Sequence, residues 1–112
     1  MNIGQIITEK IKRKYPIITL CGSTKFKEEF ELIRKQLTLE SNIVLGPEIF
    51  GHSGDKISEE QKNNLDKLHL AKIDLSDAIF VINKNNYVGD STKKEIEYAK
   101  KHNKKIFYYT DY

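Results

Sequence analysis

Short apolar runs alternate with helical stretches along the chain, and this alternation restricts the possible folds more than any other feature of the sequence. Residues 17–20, Ile-Ile-Thr-Leu, are β-branched or apolar with no polar alternation, as is typical of a strand covered on both faces. The runs that predict strands are residues 17–20, 42–45, 78–82 and 106–109. The stretches that predict helices are residues 5–14, 26–37, 58–73 and 91–102. Strands that alternate with helices pair in parallel through right-handed crossovers, so the expected class is α/β.

The predicted architecture is a small doubly wound sheet of about four parallel strands with helices on both faces. We expect the strand order 2-1-3-4, a minimal Rossmann-like or flavodoxin-like arrangement. The order reverses between the first and third strands, so the loops that leave them diverge and open a crevice at their carboxyl ends. These loops are residues 21–25 and 83–91. A chain of 112 residues supports one hydrophobic core, so residues 1–112 are predicted to form a single domain.

Composition and charge exclude several classes of function. Charged residues make up 31% of the chain and hydrophobic residues 38%, which is typical of globular proteins. The net charge of +3 is spread along the sequence without a basic face interleaved with aromatic residues, so no nucleic-acid partner is expected. No apolar run approaches the ~20 residues that span a bilayer, and no signal peptide is evident at the N-terminus. A single cysteine, Cys21, fits a reducing compartment. We therefore expect a cytoplasmic protein without a membrane partner.

The first loop of the predicted crevice offers groups that suit an anion or a sugar. Gly22 lets a ligand approach the backbone, and the following helix start supplies unpaired N–H groups. Ser23 and Thr24 add hydroxyls, and Lys25 adds a cation. These four residues predict either a phosphate or sugar contact or an ordinary helix cap made by one of the hydroxyls. The motif is too short to be a P-loop.

The second loop carries the candidate catalytic residue, Glu95. If Asp90 or Ser91 caps the helix that follows, Glu95 lies in or just beyond its first turn, where the helix macrodipole favours a negative charge. A nucleophile or an electrostatic stabiliser requires such an ionised carboxylate. Glu97, two residues further on, points elsewhere. The spacing alone fits an ordinary acidic residue near a helix start equally well.

Three sequence elements together resemble the nucleoside 2-deoxyribosyltransferase superfamily, which includes the deoxynucleoside 5′-monophosphate N-glycosidases. The elements are Cys-Gly-Ser after the first strand, Ser-Asp-Ala followed by an apolar third strand, and Gly-Asp-Ser with Glu-Ile-x-Tyr-Ala after it. The resemblance covers residues 17–109. It implies cleavage or transfer at an N-glycosidic bond by a glutamate nucleophile, without a cofactor.

The resemblance assigns roles to individual residues. Glu95 matches the family's nucleophile, which attacks the anomeric carbon and releases the base. The residues expected to bind the sugar or 5′-phosphate are Gly22, Ser23, Lys25, Gly89, Asp90 and Ser91. Two differences from the family stand out: Thr92 and Lys93 occupy a stretch that commonly contains glycine, and no aspartate falls cleanly at the base-contacting position before the third strand.

His69 lies nearest to that base-contacting position, with Asp66 and Asp74 on either side of it, and is a further candidate for substrate binding. A structural histidine on a helix is an equally good interpretation. Since residues of a neighbouring subunit often complete the family's site, and a lone four-stranded sheet is small, we expect a homodimer or a higher homo-oligomer. The expected partner is a small nucleoside or nucleotide.

The remaining candidates have simpler interpretations. Cys21 has no evident histidine partner in the sequence, which favours a small buried side chain over a nucleophile. The histidines, His52 among them, show no metal-ligand spacing with Cys21, so no metal is expected. His52 lies in a predicted exposed loop that could reach over the crevice. Two other functions remain open: a non-catalytic nucleotide-binding or sensing module, and an FMN-binding electron carrier.

Overall fold

A sheet of four parallel strands forms the centre of the computed structural model, which describes residues 2–47 and 56–112. Its strands are β1 (Ile17–Gly22), β2 (Ile43–Leu45), β3 (Ala78–Ile82) and β4 (Lys105–Tyr108). Their order is β2-β1-β3-β4, and every neighbouring pair is parallel. The predicted class, order and pairing are thereby confirmed. His52 and most of its predicted loop lie outside the described residues.

Helices cover both faces of the sheet, as the sequence predicts. Within the described residues these are α1 (Ile3–Ile11), α2 (Lys27–Leu39), α3 (Glu59–Leu75) and α4 (Asp90–Lys101). None of these described helices is long and apolar enough to cross a membrane.

Alternating side chains of the central strands separate the core into two layers. Ile18 and Leu20 of β1 belong to a cluster with buried residues of α1 and α2, whereas Cys21 belongs to a second cluster with α3 and α4. This alternation follows from the two-residue period of a strand. The helices α1 and α2 therefore lie on one face of the sheet, and α3 and α4 lie on the other.

Backbone conformation shifts a few element boundaries from their predicted positions. The first helix ends at Ile11, three residues earlier than predicted, because Lys12 adopts a left-handed conformation with φ of 62°. The start of α3 agrees with the predicted capping box: Gln61 N donates to Ser58 Oγ at 3.1 Å, and Ser58 N donates to Gln61 Oε1 at 2.9 Å. The last strand ends at Tyr108, because Tyr109 enters a short 3₁₀ helix.

Asp77 joins the starts of β1 and β3, at the end of the sheet opposite the predicted crevice. Its backbone N donates to Ile17 O at 2.8 Å, and its Oδ2 accepts from Ile17 N at 2.8 Å. Arg13 Nη1 also donates to Asp77 Oδ1 at 3.0 Å. The side chain therefore satisfies the first N–H of β1, which the ladder to β3 leaves free.

Candidate active site

A cavity of about 720 Å³ lies at the carboxyl ends of β1 and β3, where the strand order reverses. Both predicted loops line it, and α3 closes a further side. The lining residues from the first loop are Gly22, Ser23 and Thr24. Those from the second loop and α4 are Tyr87, Gly89, Asp90, Ser91, Thr92 and Glu95. This space is called the switch-point cavity below, and it has the location where doubly wound sheets bind ligands.

Gly22 ends β1 in a conformation that requires glycine. Its φ is +153°, and a Cβ atom at this position would lie 2.8 Å from the carbonyl oxygen of Ile82. Next to it, Ser23 Oγ accepts a hydrogen bond from Lys25 N at 3.3 Å and so caps the short 3₁₀ helix Thr24–Phe26. Ser23 thus combines the capping role with a position on the cavity wall.

Lys25 does not line the switch-point cavity, although the resemblance implies a substrate contact for it. Its Nζ atom lies 3.4 Å from the ring centroid of Tyr87 and 5.3 Å from that of Phe26. A cation in this position is attracted by the aromatic faces. Lys25 therefore ties the first loop to Tyr87 of the second, and its contribution to the cavity is indirect.

The cap of α4 differs from the sequence prediction. Gly89, rather than Asp90 or Ser91, is the N-cap, with extended backbone angles and no side-chain hydrogen bond. Asp90 is already helical, so Glu95 is the sixth residue of α4 and lies in its second turn. Because the macrodipole acts mainly within the first turn, it contributes little at this carboxylate. The side chains next to Glu95 therefore matter more for its electrostatic environment than the helix macrodipole does.

Those neighbours are Cys21 and His69. The Nε2 atom of His69 lies 3.4 Å from Cys21 Sγ and 3.5 Å from Glu95 Oε1. The three atoms all lie within 4.8 Å of one another. Cys21 is buried, whereas the side chains of His69 and Glu95 are 13% and 21% exposed and line the cavity. The cluster therefore lies at the base of the cavity and joins β1, α3 and α4.

Buried contacts between α3 and β1 explain why His69 reaches Cys21. Thr19 Oγ1 lies 2.5 Å from Ser76 Oγ and 3.1 Å from the carbonyl oxygen of Lys72. Ile73 is fully buried against the same face of the sheet. Since residues four apart share a helix face, His69 points toward the sheet one turn before Ile73. The histidine partner that was not evident in the sequence therefore comes from α3, 48 residues away.

The cluster does not have the geometry of a cysteine–histidine–carboxylate relay. Such a relay uses the two different ring nitrogens, one for the nucleophile and one for the carboxylate. Here Nε2 alone faces both Cys21 and Glu95. Burial raises the pKa of the Cys21 thiol well above its usual value, and the adjacent Glu95 carboxylate raises it further. A protonated thiol is a poor nucleophile, so Cys21 is a weaker candidate for a nucleophile than Glu95.

A stripe of α3 residues lines the cavity that the sequence analysis assigned mainly to the two loops. Besides His69, its members are Lys62, Leu65, Asp66, Leu68 and Lys72. The spacing of Lys62, Leu65, Asp66, His69 and Lys72 is that of one helix face, which is the sequence signal that identifies them. Of the two aspartates next to His69, only Asp66 lines the cavity; Asp74 accepts a hydrogen bond from Tyr98 Oη at 2.7 Å outside it.

Comparisons with models of protein families and with curated protein sequences found no match to this chain. Its similarity to the deoxyribosyltransferase superfamily therefore rests on the motifs alone. The geometry of the switch-point cavity provides independent grounds for a proposal about function.

Proposed function

We propose that the protein cleaves or transfers at the N-glycosidic bond of a nucleoside or a nucleoside 5′-monophosphate, with Glu95 as the nucleophile. The observation that supports this most is the position of the Glu95 carboxylate, which is partly exposed in the switch-point cavity. Its volume of about 720 Å³ falls within the range of ligand pockets, roughly 300–1,000 Å³. A partly exposed glutamate carboxylate in a cavity of this size suits the nucleophile of a retaining glycosyl transfer.

The reaction proceeds in two displacements at the anomeric carbon. A Glu95 oxygen forms a bond to this carbon as the bond to the base nitrogen breaks, and the base leaves with the electron pair and takes up a proton from solvent. Water, or the nitrogen of a second base, then attacks the same carbon, loses a proton to solvent and releases the carboxylate. The chain thereby needs one nucleophile and no cofactor.

The two ends of the cavity differ in chemistry, and this difference gives the substrate an orientation. Gly22 and Ser23 at the end of β1, with Gly89, Asp90 and Ser91 at the start of α4, offer backbone N–H groups and hydroxyls to a sugar or phosphate. Another part of the lining comes from α3, where apolar and polar groups suit a flat heteroaromatic base. The α3 residues assigned to the base are Leu65, Asp66, Leu68 and His69.

His69 holds a second role in this proposal, as a positioning residue for the nucleophile. Its Nε2 atom lies 3.5 Å from Glu95 Oε1, close enough to restrict the carboxylate to one side of the cavity. In the proposed reaction the other carboxylate oxygen attacks the sugar. His69 thus acts through Glu95 as well as through the base.

We further propose that the enzyme is cytoplasmic and forms a homodimer or a higher homo-oligomer. Cys21 is buried and unpaired, in keeping with a reducing compartment. Several large apolar side chains are exposed on α2 and on the edge strand β2, a pattern favourable to self-association. These residues are Leu32, Leu39 and Ile43.

The decisive experiment is a panel of nucleosides and nucleoside monophosphates, with free base detected chromatographically in the parent and in Glu95→Gln. The variant keeps the size of the side chain but removes its negative charge and its nucleophilic oxygen. Base release should therefore fall by several orders of magnitude, while substrate binding changes far less. Glu97→Gln, exposed on α4 outside the cavity, is the matched control and should retain the parental rate.

Two results would overturn the mechanism. Equal base release by the parent and Glu95→Gln would exclude Glu95 as the nucleophile. Binding of nucleotides by the parent without any cleavage would instead identify a nucleotide-binding or sensing module on the same fold.

A further inference from the structure

We propose that Cys21, His69 and Glu95 form a binding site for a thiophilic divalent cation, with Zn²⁺ as the best fit. The donor atoms are Cys21 Sγ, His69 Nε2 and Glu95 Oε1, which converge within 4.8 Å of one another. A thiolate, an imidazole and a carboxylate are the three side-chain ligands that zinc takes in proteins. This proposal departs from the sequence-based expectation that the chain binds no metal.

Two of the three distances between the donor atoms agree with tetrahedral coordination, and the third, between Cys21 Sγ and the Glu95 carboxylate, is at most 4.8 Å. Zinc bonds of ~2.3 Å to sulfur and ~2.0–2.1 Å to nitrogen or oxygen place tetrahedral ligands roughly 3.3–3.6 Å apart. The observed separations are 3.4 Å between sulfur and nitrogen and 3.5 Å between nitrogen and oxygen. Only small side-chain movements would bring all three atoms to bonding distance of one ion.

The use of a single imidazole nitrogen favours a metal site over a hydrogen-bonded chain. Nε2 carries at most one proton, yet it faces both the Cys21 sulfur and the Glu95 oxygen. Three donor atoms of different residues that lie within 4.8 Å of one another are instead an arrangement that suits a cation. On binding, the Cys21 thiol loses its proton to solvent and the resulting thiolate bonds to the ion.

The cavity gives the ion a path to the site and leaves one coordination position open. His69 and Glu95 line the switch-point cavity, whereas Cys21 lies buried behind them. Three protein ligands at the base of a cavity leave the fourth position to water or to an incoming ligand. A bound ion would engage the Glu95 carboxylate, so under the proposed function metal occupancy and base release exclude each other. The site itself is independent of that function.

Metal binding is tested with Co²⁺ and Zn²⁺ alone on the full chain, reduced and freed of metals by a chelator. We expect saturable binding of one Co²⁺ per chain, with a thiolate-to-cobalt charge-transfer band in the near ultraviolet and intense tetrahedral bands in the visible. Zn²⁺ should displace cobalt and remove both signals. Absence of the thiolate band in the parent at a large molar excess of cobalt would overturn the proposal.

Single substitutions then identify the ligands. Cys21→Ala should abolish the thiolate band, and His69→Gln and Glu95→Gln should each weaken cobalt binding at least about tenfold. The matched controls are His102→Gln and Glu97→Gln, which change exposed residues of the same types and should bind as the parent does. Circular dichroism verifies that each variant is folded, and Cys21→Ser replaces Cys21→Ala if the latter is not. A thiolate band that persists without Cys21, or equal affinities in ligand and control variants, would refute the site.

Discussion

Gly22 shows at the scale of one residue how the backbone shapes the candidate site. It ends β1 with φ of +153°, and its Cα faces the carbonyl oxygen of Ile82 closely enough that a Cβ would lie 2.8 Å away. Gly89, on the other side of the same cavity, has ordinary backbone angles, and its Cβ would lie 3.4 Å from Tyr87 Oη. Substitution by alanine should therefore destabilise the fold more at Gly22 than at Gly89.

We predict that Gly22→Ala lowers the free energy of unfolding by about 1–3 kcal/mol, because the backbone strain and the contact with Ile82 must be relieved by movement of β1. The same shift should weaken ligand binding in the cavity. Gly89→Ala is the control and should cost less than about 1 kcal/mol, as expected for an uncapped N-cap position. Urea unfolding of both variants measures the difference, and equal losses would contradict the role given to Gly22.

Individual site residues could be predicted to different extents. Ser23 and Asp90 line the cavity, as the topology predicted for residues that follow the ends of β1 and β3. Glu95 lines it too, but its predicted role came from the family resemblance, since its spacing alone fitted an ordinary acidic residue equally well. Cys21 and His69 could not be paired, because their contact depends on the rotation of α3 about its axis. Buried contacts of Thr19, Ile73 and Ser76 determine that rotation. The spacing of the α3 residues groups them on one helix face, but it does not indicate that this face meets Cys21.

At the scale of elements, one side chain reinforces the backbone link between the starts of β1 and β3. Asp77 Oδ2 accepts from Ile17 N at 2.8 Å in a partly buried position, while its ion pair with Arg13 is more exposed, Arg13 being 56% accessible. A buried backbone N–H that loses its acceptor is costly, whereas an exposed ion pair contributes little. The hydrogen bond from Ile17 N to Asp77 should therefore contribute more to the free energy of unfolding than the ion pair with Arg13 does.

We predict that Asp77→Ala lowers the free energy of unfolding by about 1–3 kcal/mol. Arg13→Ala, which removes only the exposed ion pair, should cost less than about 1 kcal/mol. Asp77→Asn keeps an oxygen acceptor and should fall between the two. Chemical denaturation of the three variants provides the comparison. A loss in Arg13→Ala as large as that in Asp77→Ala would show that the ion pair, not the backbone bond, holds the strands.

The elements themselves were predictable where periodicity and capping agree. The strand Ala78–Ile82 follows directly from an apolar run. The start of α3 follows from the capping box at its N-cap, Ser58. The start of α4 was misplaced by one residue because Gly89 lacks the side chain that marks a cap. The end of α1 was misplaced because Lys12 adopts a left-handed conformation that its sequence does not indicate.

At the scale of the whole molecule, the order of the sheet was predictable as that of a minimal doubly wound fold, and most of the residues that α3 adds to the cavity were not. The reversal of strand order places the ends of β1 and β3 together, and therefore the two loops. It does not specify which residues of α3 face them. The cavity consequently combines the predicted loops with a face of α3 on which the sequence nominated only His69. The cluster of Cys21, His69 and Glu95 joins β1, α3 and α4.

An ion bound by three elements should stabilise the whole fold, because the unfolded chain cannot hold the same ligands together. At a free Zn²⁺ concentration about 100 times its Kd, the free energy of unfolding should rise by about 2.7 kcal/mol in the parent, provided that the unfolded chain binds little zinc. Zinc should raise the free energy of unfolding of Cys21→Ala much less, whereas Glu97→Gln should be stabilised as much as the parent. Guanidinium unfolding at fixed zinc and under a chelator measures each gain. An equal gain in Cys21→Ala would mean that zinc stabilises the protein from another site.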